Sequence, residues 1–420
     1  MISLLNKFDN KNIVEFLMIK DMDITWIEPK TTIGDVAKGN YYYQRKGIVD
    51  AIWSELYKGN SILIAAPRRA GKTSIMRYIE DNPKEKFKVI FENIQGIDSG
   101  KRFYGRLYNL LLICLLDCLS KSQKIKKWFR QYISSKSILE IDITGRIKIE
   151  TLDLNFIDEI DKLLIEINEK KEIENIVLLI DELPEVLFNI NKTNNNEAKS
   201  ILKNLRRWRQ NKVHEKVKFV FAGSVGIHYV VNAIENRNSD LNDLATINCN
   251  PLDENEFSDY INWATENATV KYNPDLQQYL SKKIHYFLPY FINLMLKKID
   301  EQARKKNNPE ISKQMIDEAF NTIVKENDHF TDWKNRLKDY MPTDDFNFVN
   351  EILIHIAHKD EISRQTIYNK AVIYKKTTDY MDFINDLEKD GYIVEYNQKY
   401  IFVSPFLKAF WKRNNPVYHG

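Results

Sequence analysis

Ser61-Ile62-Leu63-Ile64-Ala65-Ala66-Pro67-Arg68-Arg69-Ala70-Gly71-Lys72-Thr73-Ser74 joins an apolar run to a basic, glycine-containing turn. Gly59-Asn60 halts the helical spacing of residues 48–57, and the apolar residues that follow predict a short buried strand over 61–66. Residues 73–79 then predict a helix. The turn between them, Ala66 to Thr73, matches the Walker A phosphate-loop pattern except that Ala66 stands at the first glycine. A loop in that context turns its backbone N–H groups toward phosphates, and the helix N-terminus adds a favourable dipole. Lys72 is the candidate for the β- and γ-phosphates of a nucleotide, and Thr73 for a hydroxyl contact to Mg²⁺. A chance basic turn is the alternative, and the strand before and helix after count against it.

A second apolar run, Val177-Leu178-Leu179-Ile180, ends in Asp181-Glu182. That puts two acids at the carboxyl edge of a sheet, where α/β proteins bind ligands. Asp181 is expected to hold Mg²⁺ through water, and Glu182 to polarise the attacking water as a general base. A third run, 218–222, leads to Gly223-Ser224, so Ser224 is either a hydrogen-bonding partner of the lytic water or γ-phosphate, or a plain strand-end turn. The helix before it carries Arg206, Arg207 and Arg209. Arg206 and Arg209 are candidates for an arginine finger on a neighbouring subunit's nucleotide, with a solvated basic face as the bland alternative.

Strands predicted at 61–66, 87–91, 176–180 and 217–222, and one more at 246–249, alternate with helices. The pattern argues for an α/β class with a parallel sheet and helices on both faces. Residues 138–149 alternate around Thr144-Gly145 like a β-hairpin insertion, and Asn191 to Asn196 reads as a polar surface loop. Beyond Pro251 the strand signal stops, and residues 254–340 read as helical.

A chain of 420 residues is too long for one ordinary core, which suggests two or three domains. The 62 basic and 59 acidic side chains nearly cancel, to a net +3, so no strong overall field advertises a dedicated nucleic-acid binder. Cys114, Cys118 and Cys249 have no framework spacing and read as buried thiols of a reducing compartment. No signal region or membrane-length apolar run is present, so a cytoplasmic location and no membrane partner are expected. His355 and His358 lack a metal spacing and read as helix surface.

The chain resembles the STAND and archaeal-type ATPases, relatives of the AAA+ and origin-recognition ATPases, over roughly residues 40–300. Ala65 to Ser74 is close to the loop form common in that group. Tyr42-Tyr43-Gln44-Arg45 resembles its adenine-pocket motif, with Gln44 for the usual glycine. Phe287-Leu288-Pro289 resembles its Gly-x-Pro motif, with Phe287 for glycine and the proline against the adenine. The resemblance implies a five-stranded P-loop NTPase core over 41–250 and a helical lid over 251–340, with residues 1–40 an unassigned leader. It also implies ATP contacts from Ala66, Arg68, Arg69, Ala70, Gly71, Lys72, Thr73, Ser74, Arg45 and Pro289.

The last segment, 341–420, predicts three helices and a hairpin across Asn397-Gln398-Lys399, similar to the winged helix-turn-helix that often follows such ATPases. Its third helix carries Asp379, Asp382, Asp386 and Glu388, followed by Asp390. Acids facing DNA phosphates are repelled and release no counterions, so the module is expected to pack on the ATPase or on a protein partner. The favoured function is an Mg²⁺-dependent ATPase switch acting through a protein partner or self-association, in signalling or defence. An AAA+-like ATPase that binds or remodels DNA is the second, less favoured function. A nucleotide-bound scaffold with little turnover is a third, and Glu182 speaks against it.

Overall fold

The structure, a computed structural model, describes residues 25–119, 140–141, 147–148, 155–171, 173–223, 227–235, 239–326 and 328–418. In chain order the first strands are β1 (Ile62–Ala65), β2 (Phe87–Asn93), the short pair β3 (Glu140–Ile141) and β4 (Ile147–Lys148), β5 (Asn175–Asp181), β6 (Val217–Ala222) and β7 (Ala245–Asn248). Strands β3 and β4 pair antiparallel, as the alternation over 138–149 predicts, and the Thr144-Gly145 turn lies outside the described residues. The other five form one parallel sheet in the order β2-β5-β6-β1-β7. The loop-bearing β1 and the acid-bearing β5 are therefore separated by β6 alone, and their carboxyl ends open on the same edge.

Alternate residues of each strand serve opposite cores, because side chains on a strand point to alternate faces. Ile62, Ile64, Val177, Leu179 and Val220 face α1 (Lys46–Tyr57) and α2 (Lys72–Asp81). Leu63, Ile176, Leu178, Ile180 and Phe219 face the other way. There they meet α3 (Gly100–Leu119), α4 (Phe156–Glu169), α5 (Leu183–Thr193), α6 (Asn195–Gln210) and α7 (Ile227–Glu235). The near-continuous apolar character of β5 follows from burial on both faces.

The Asn191–Asn196 stretch departs from the expected loop. Helix α5 runs to Thr193 and α6 starts at Asn195, so only Asn194 lies between them. Its side chain accepts a hydrogen bond from the Glu197 amide at 3.2 Å. A single asparagine thus ends one helix and caps the next, which polarity by itself does not disclose. Helices α5 and α7 carry no prior signal in the strand-by-strand pattern. The buried positions of Cys114 and Cys249 agree with expectation.

After β7 come the helices α8 (Glu254–Ala264), α9 (Pro274–Ile284), α10 (Pro289–Lys305), α11 (Lys313–Lys325) and α12 (Asp328–Tyr340). Their starts are written in the sequence. Asp253 and Glu256 form a reciprocal capping box, Asn273 and Ser312 cap α9 and α11, and Pro274 and Pro289 occupy first-turn positions that need no N–H. Residues 25–40 run across these helices as a strap. Thr269 donates its amide to the Ile27 carbonyl and Lys30 to Ala264, both at 2.8 Å, and the Trp26 indole donates to Asp300 at 3.0 Å.

The C-terminal part comprises α13 (Thr343–Lys359), β8 (Ile362–Ser363), α14 (Arg364–Ile373), α15 (Tyr380–Lys389), β9 (Ile393–Tyr396), β10 (Lys399–Phe402) and α16 (Pro405–Asn414). Its three-stranded antiparallel sheet has the order β8-β10-β9. Strand β8 and helix α16 had no counterpart in the sequence pattern. His355 and His358 lie under the chain end rather than on open helix surface, hydrogen-bonded to Tyr418 and to the Asn415 carbonyl.

Helix α16 is not peripheral. Phe406 is fully buried, with ring centroids 5.2 Å from Phe291 on α10, 4.7 Å from Phe320 on α11 and 5.9 Å from Phe330 on α12. One apolar core therefore runs from the sheet through α8–α12 into the C-terminal part. Replacing Phe406 by Ala is expected to cost about 3–5 kcal/mol, read from the denaturant midpoint, and to destabilise residues 254–414 together. Separate melting of residues 343–414 alone, seen by hydrogen exchange, would show that the shared core is not cooperative.

Candidate functional site

The loop between β1 and α2 is shaped by two left-handed residues, Arg69 (φ 65°) and Gly71 (φ 89°), with Gly71 at the N-cap of α2. Gly71 takes that conformation without strain, whereas Arg69 takes it against the steric preference of an L side chain. Lys72, only 6% exposed, folds back over the loop and donates to the carbonyls of Ala66 (3.0 Å) and Pro67 (2.9 Å). Burial pushes its ammonium pKa down, while Asp181 and Glu182 pull it up.

The hydroxyl of the next residue, Thr73, donates to Asp181 Oδ2 at 2.5 Å. This contact bridges α2 to the end of β5 across the intervening β6. Asp181 is 1% exposed, and burial raises its pKa against the lowering effect of the Thr73 hydrogen bond. Its other oxygen accepts the Glu182 amide at 3.0 Å. Glu182 sits at φ 64°, a left-handed kink that turns the chain from β5 into α5 and costs about 1–2 kcal/mol in a non-glycine residue. Strain stored next to a cleft is a mark of functional sites.

These residues border a cavity of about 390 Å³. Arg45, Arg68, Arg69, Ala70, Gly71, Lys72, Thr73, Ser74, Glu182 and Pro289 all line it. Ala66 and Asp181 sit behind that surface, reaching it through Lys72 and Thr73. The Ser74 hydroxyl accepts the Ala37 amide at 3.1 Å, which ties the strap to the loop helix. Arg45, 7% exposed, donates to the Asn250 carbonyl at 2.6 Å and the Cys249 sulfur at 3.4 Å, so its guanidinium also braces the link from β7 to α8.

Arg206 and Arg209 do not reach this cavity. Arg206 is ion-paired to Asp240 at 3.0 Å, and Arg209 grips Asp243 through two hydrogen bonds of 2.8 and 2.9 Å. Ser224 lies outside the described residues. Gly223 before it packs so closely on Pro184 that an added Cβ would come within 2.3 Å, which sets the end of β6 against the start of α5.

Several lining residues carry no motif. The strap contributes Thr32, Gly34, Asp35, Val36 and Ala37, and Tyr260 joins Tyr42 and Tyr43 of the 42–45 motif in an aromatic wall. Tyr42 stacks on Tyr78 at 4.9 Å, and Tyr43 meets Tyr260 edge-on at 4.9 Å. Asn293 on α10 accepts from the Tyr260 hydroxyl (2.8 Å) and donates to the Thr32 carbonyl (2.9 Å). Arg336 on α12 reaches the cavity from the far side. The loop arginines also reach α10 and α12. Arg68 donates to Asp332 at 3.0 Å, and the Arg69 guanidinium lies 4.6 Å from the Tyr290 ring centroid. Only tertiary proximity singles out Asn293 and Arg336, since an Asn or Arg on an amphipathic helix has no distinguishing spacing.

No protein-family model matches the chain, and no curated protein sequence matches it. Solved structures do. A Walker-type ATPase of Pyrococcus abyssi is similar at a TM-score of 0.59 and 13% identity, over 91% of this chain and 99% of that one. The Aeropyrum pernix ORC2 protein, in its ADPNP–ADP complexes, is similar at 0.52 and 12% identity, over 92% and 98%. The chain shares the α/β P-loop NTPase fold of these two structures, with its five-stranded parallel sheet. At these identities the likeness is one of fold, and chemistry must be argued from the side chains.

Asn293 joins the strap to the wall of the cavity with both ends of its amide. Asn293→Leu leaves the buried Tyr260 hydroxyl without its acceptor, so a loss of about 1–3 kcal/mol is expected, together with faster proteolysis within residues 25–45. Unchanged stability and proteolysis would show that the strap is held by its other contacts.

Proposed function

We propose that this chain binds and hydrolyses ATP as a STAND- or AAA+-type switch and acts through a protein partner or self-association. The observation that carries the proposal is the 2.5 Å contact from Thr73 to Asp181, with Glu182 lining the adjoining cavity beside Lys72. A phosphate loop, a buried acid and a second acid at one sheet edge are the parts that phosphoryl transfer to water requires.

In this mechanism the backbone N–H groups of 68–73 and the start of α2 cradle the phosphates. Lys72 exchanges its carbonyl partners for phosphate oxygens, which relieves the cost of a buried ammonium lacking an anion in contact. Glu182 accepts the proton of the attacking water. The aromatic wall of Tyr42, Tyr43 and Tyr260, with Pro289, suits a flat base. Mg²⁺ fits the donors present, because the Thr73 hydroxyl and the Asp181 carboxylate are adjacent hard oxygens and Mg²⁺ needs only one or two from protein when phosphates supply others. When bound, it would neutralise charge on the phosphates. Arg206, about one third exposed, is a better candidate to act on a neighbouring chain than Arg209, whose side chain is 3% exposed.

The order helix, short strand, two helices and hairpin over 343–402 supports a winged-helix module. Two features favour a protein partner over DNA. Asp386 and Asp390 at the end of α15 line a small cavity with Arg68 and Arg336 beside the phosphate loop. Helix α14 presents Tyr368, Val372 and Ile373 to solvent, the last 75% exposed, the apolar character of a protein-contact surface.

ATP hydrolysis by the wild type, Glu182→Gln and Lys72→Ala, each with and without double-stranded DNA, tests the proposal. Glu182→Gln is expected to bind ATP and to lose about 10²–10⁴-fold in rate. Lys72→Ala is expected to lose binding, and DNA to leave the wild-type rate unchanged. A Glu182→Gln variant that hydrolyses at the wild-type rate, or strong salt-sensitive stimulation by DNA, would overturn the corresponding part.

A further inference from the structure

Among the described residues of the phosphate loop, Arg69 alone is a non-glycine residue in the left-handed region, at φ 65°. There its Cβ crowds the following carbonyl oxygen, a strain that glycine does not feel. A left-handed residue within a turn brings successive backbone N–H groups to one side, the concavity that holds an anion. The strain is thus spent on the part of the loop that phosphates would use. The Arg69 side chain is held by groups far away in sequence. Its guanidinium lies 4.6 Å from the ring centroid of Tyr290 on α10 and 3.6 Å from Asp332 on α12. Tyr290 is 6% exposed, and its hydroxyl lies 3.3 Å from His329 Nδ1 on α12, so the ring has a fixed place of its own. A guanidinium over a buried ring and beside a carboxylate gains free energy of the order that a left-handed L residue loses.

We propose that Tyr290 and Asp332 are positioning residues for the nucleotide, which hold the backbone of Arg69 left-handed through its guanidinium and so keep the phosphate loop in its anion-binding shape. The inference rests on the ATP-binding proposal above and adds which groups maintain the loop that binding uses. Without this brace the Arg69 backbone relaxes to the right-handed region that L residues prefer. The loop amides then turn apart, and a nucleotide binds only the fraction of chains in which the strained turn has formed again, so its apparent affinity falls by that fraction. Such a role differs from a direct phosphate contact. For a contact, loss of the guanidinium weakens binding by the same amount whatever small residue replaces it. For a brace, the backbone preference of the replacement decides, and glycine, which takes φ 65° freely, needs no brace.

The test uses the full chain, with ATP affinity measured by equilibrium titration in Mg²⁺ and stability by the denaturant midpoint. Arg69→Ala and Arg69→Gly lose the same guanidinium and differ only in their freedom at positive φ. Arg69→Gly is expected to bind ATP about five- to thirtyfold more tightly than Arg69→Ala, which is the left-handed penalty read as affinity. Tyr290→Leu is expected to weaken ATP by about fivefold in the wild-type chain and to have no further effect in a chain that already carries Arg69→Gly. Tyr290→Phe, which keeps the ring face, is expected to restore most of that loss. Equal affinity of the two Arg69 variants, or an equal loss from Tyr290→Leu with and without Arg69→Gly, overturns the inference while leaving ATP binding in place. A difference between the Arg69 variants that shows in the denaturant midpoint and not in ATP affinity overturns it as well, because the left-handed turn then serves the fold alone. ATP that binds no better to wild type than to Lys72→Ala overturns the nucleotide site itself and this inference with it. The Arg69 pair decides the matter even where Tyr290→Leu does not fold.

Discussion

The hydrogen bond from Thr73 to Asp181 holds together two pieces of chain more than a hundred residues apart in sequence. It depends on β6 lying between β1 and β5, on the turn at Gly71 that starts α2 on the right residue, and on the buried register that ends β5 at Asp181. Slip any strand by one residue and its core side chains change faces, taking the carboxylate with them. The chemistry of the cleft thus rests on the same alternation that fills the two cores.

Around that centre the molecule is closed from two sides. The strap over 25–40 crosses α8 and α10 and reaches Ser74 through Ala37, and Arg45 just after it reaches the β7–α8 link. From the other side, Arg68 and Arg69 leave the loop to meet Asp332 and Tyr290. The loop is therefore held by the helices beyond the sheet as much as by the sheet. Helix α12 is in turn joined to the C-terminal part through the hydrogen bond from Tyr392 to Trp333. The continuous aromatic core from Phe291 to Phe406 makes that part a structural neighbour of the site rather than an appendage.

Much of the α/β core was legible beforehand. The strands and the loop announce themselves because burial on both faces forces apolar runs, and a phosphate loop demands small residues at fixed positions. The segment after β7 read as helical only as a whole, over 254–340; the caps Asp253, Asn273 and Ser312 that set the separate helix starts are seen in the structure. Helices α5 and α7, strand β8 and helix α16 were not legible, because their apolar residues answer to distant partners. The stretch at Asn194 misleads for the opposite reason, its polarity serving a cap instead of a loop. The acids of α15 are visible in the sequence, but their nearness to Arg68 and Arg336 has no local signature.

What the sequence determined by itself is the set of groups that act through neighbours in the chain. These are the strand–loop–helix at 61–79, the acid pair at 181–182 and the caps, where spacing along the backbone alone sets the geometry. What only the tertiary structure decided is which distant groups share the cleft. Arg336, Asn293 and the strap were recruited, while Arg206 and Arg209 were held by Asp240 and Asp243. The physical reason is that a charge acts over distance in space, and its partner is chosen by how sheet and helices pack rather than by its place in the chain.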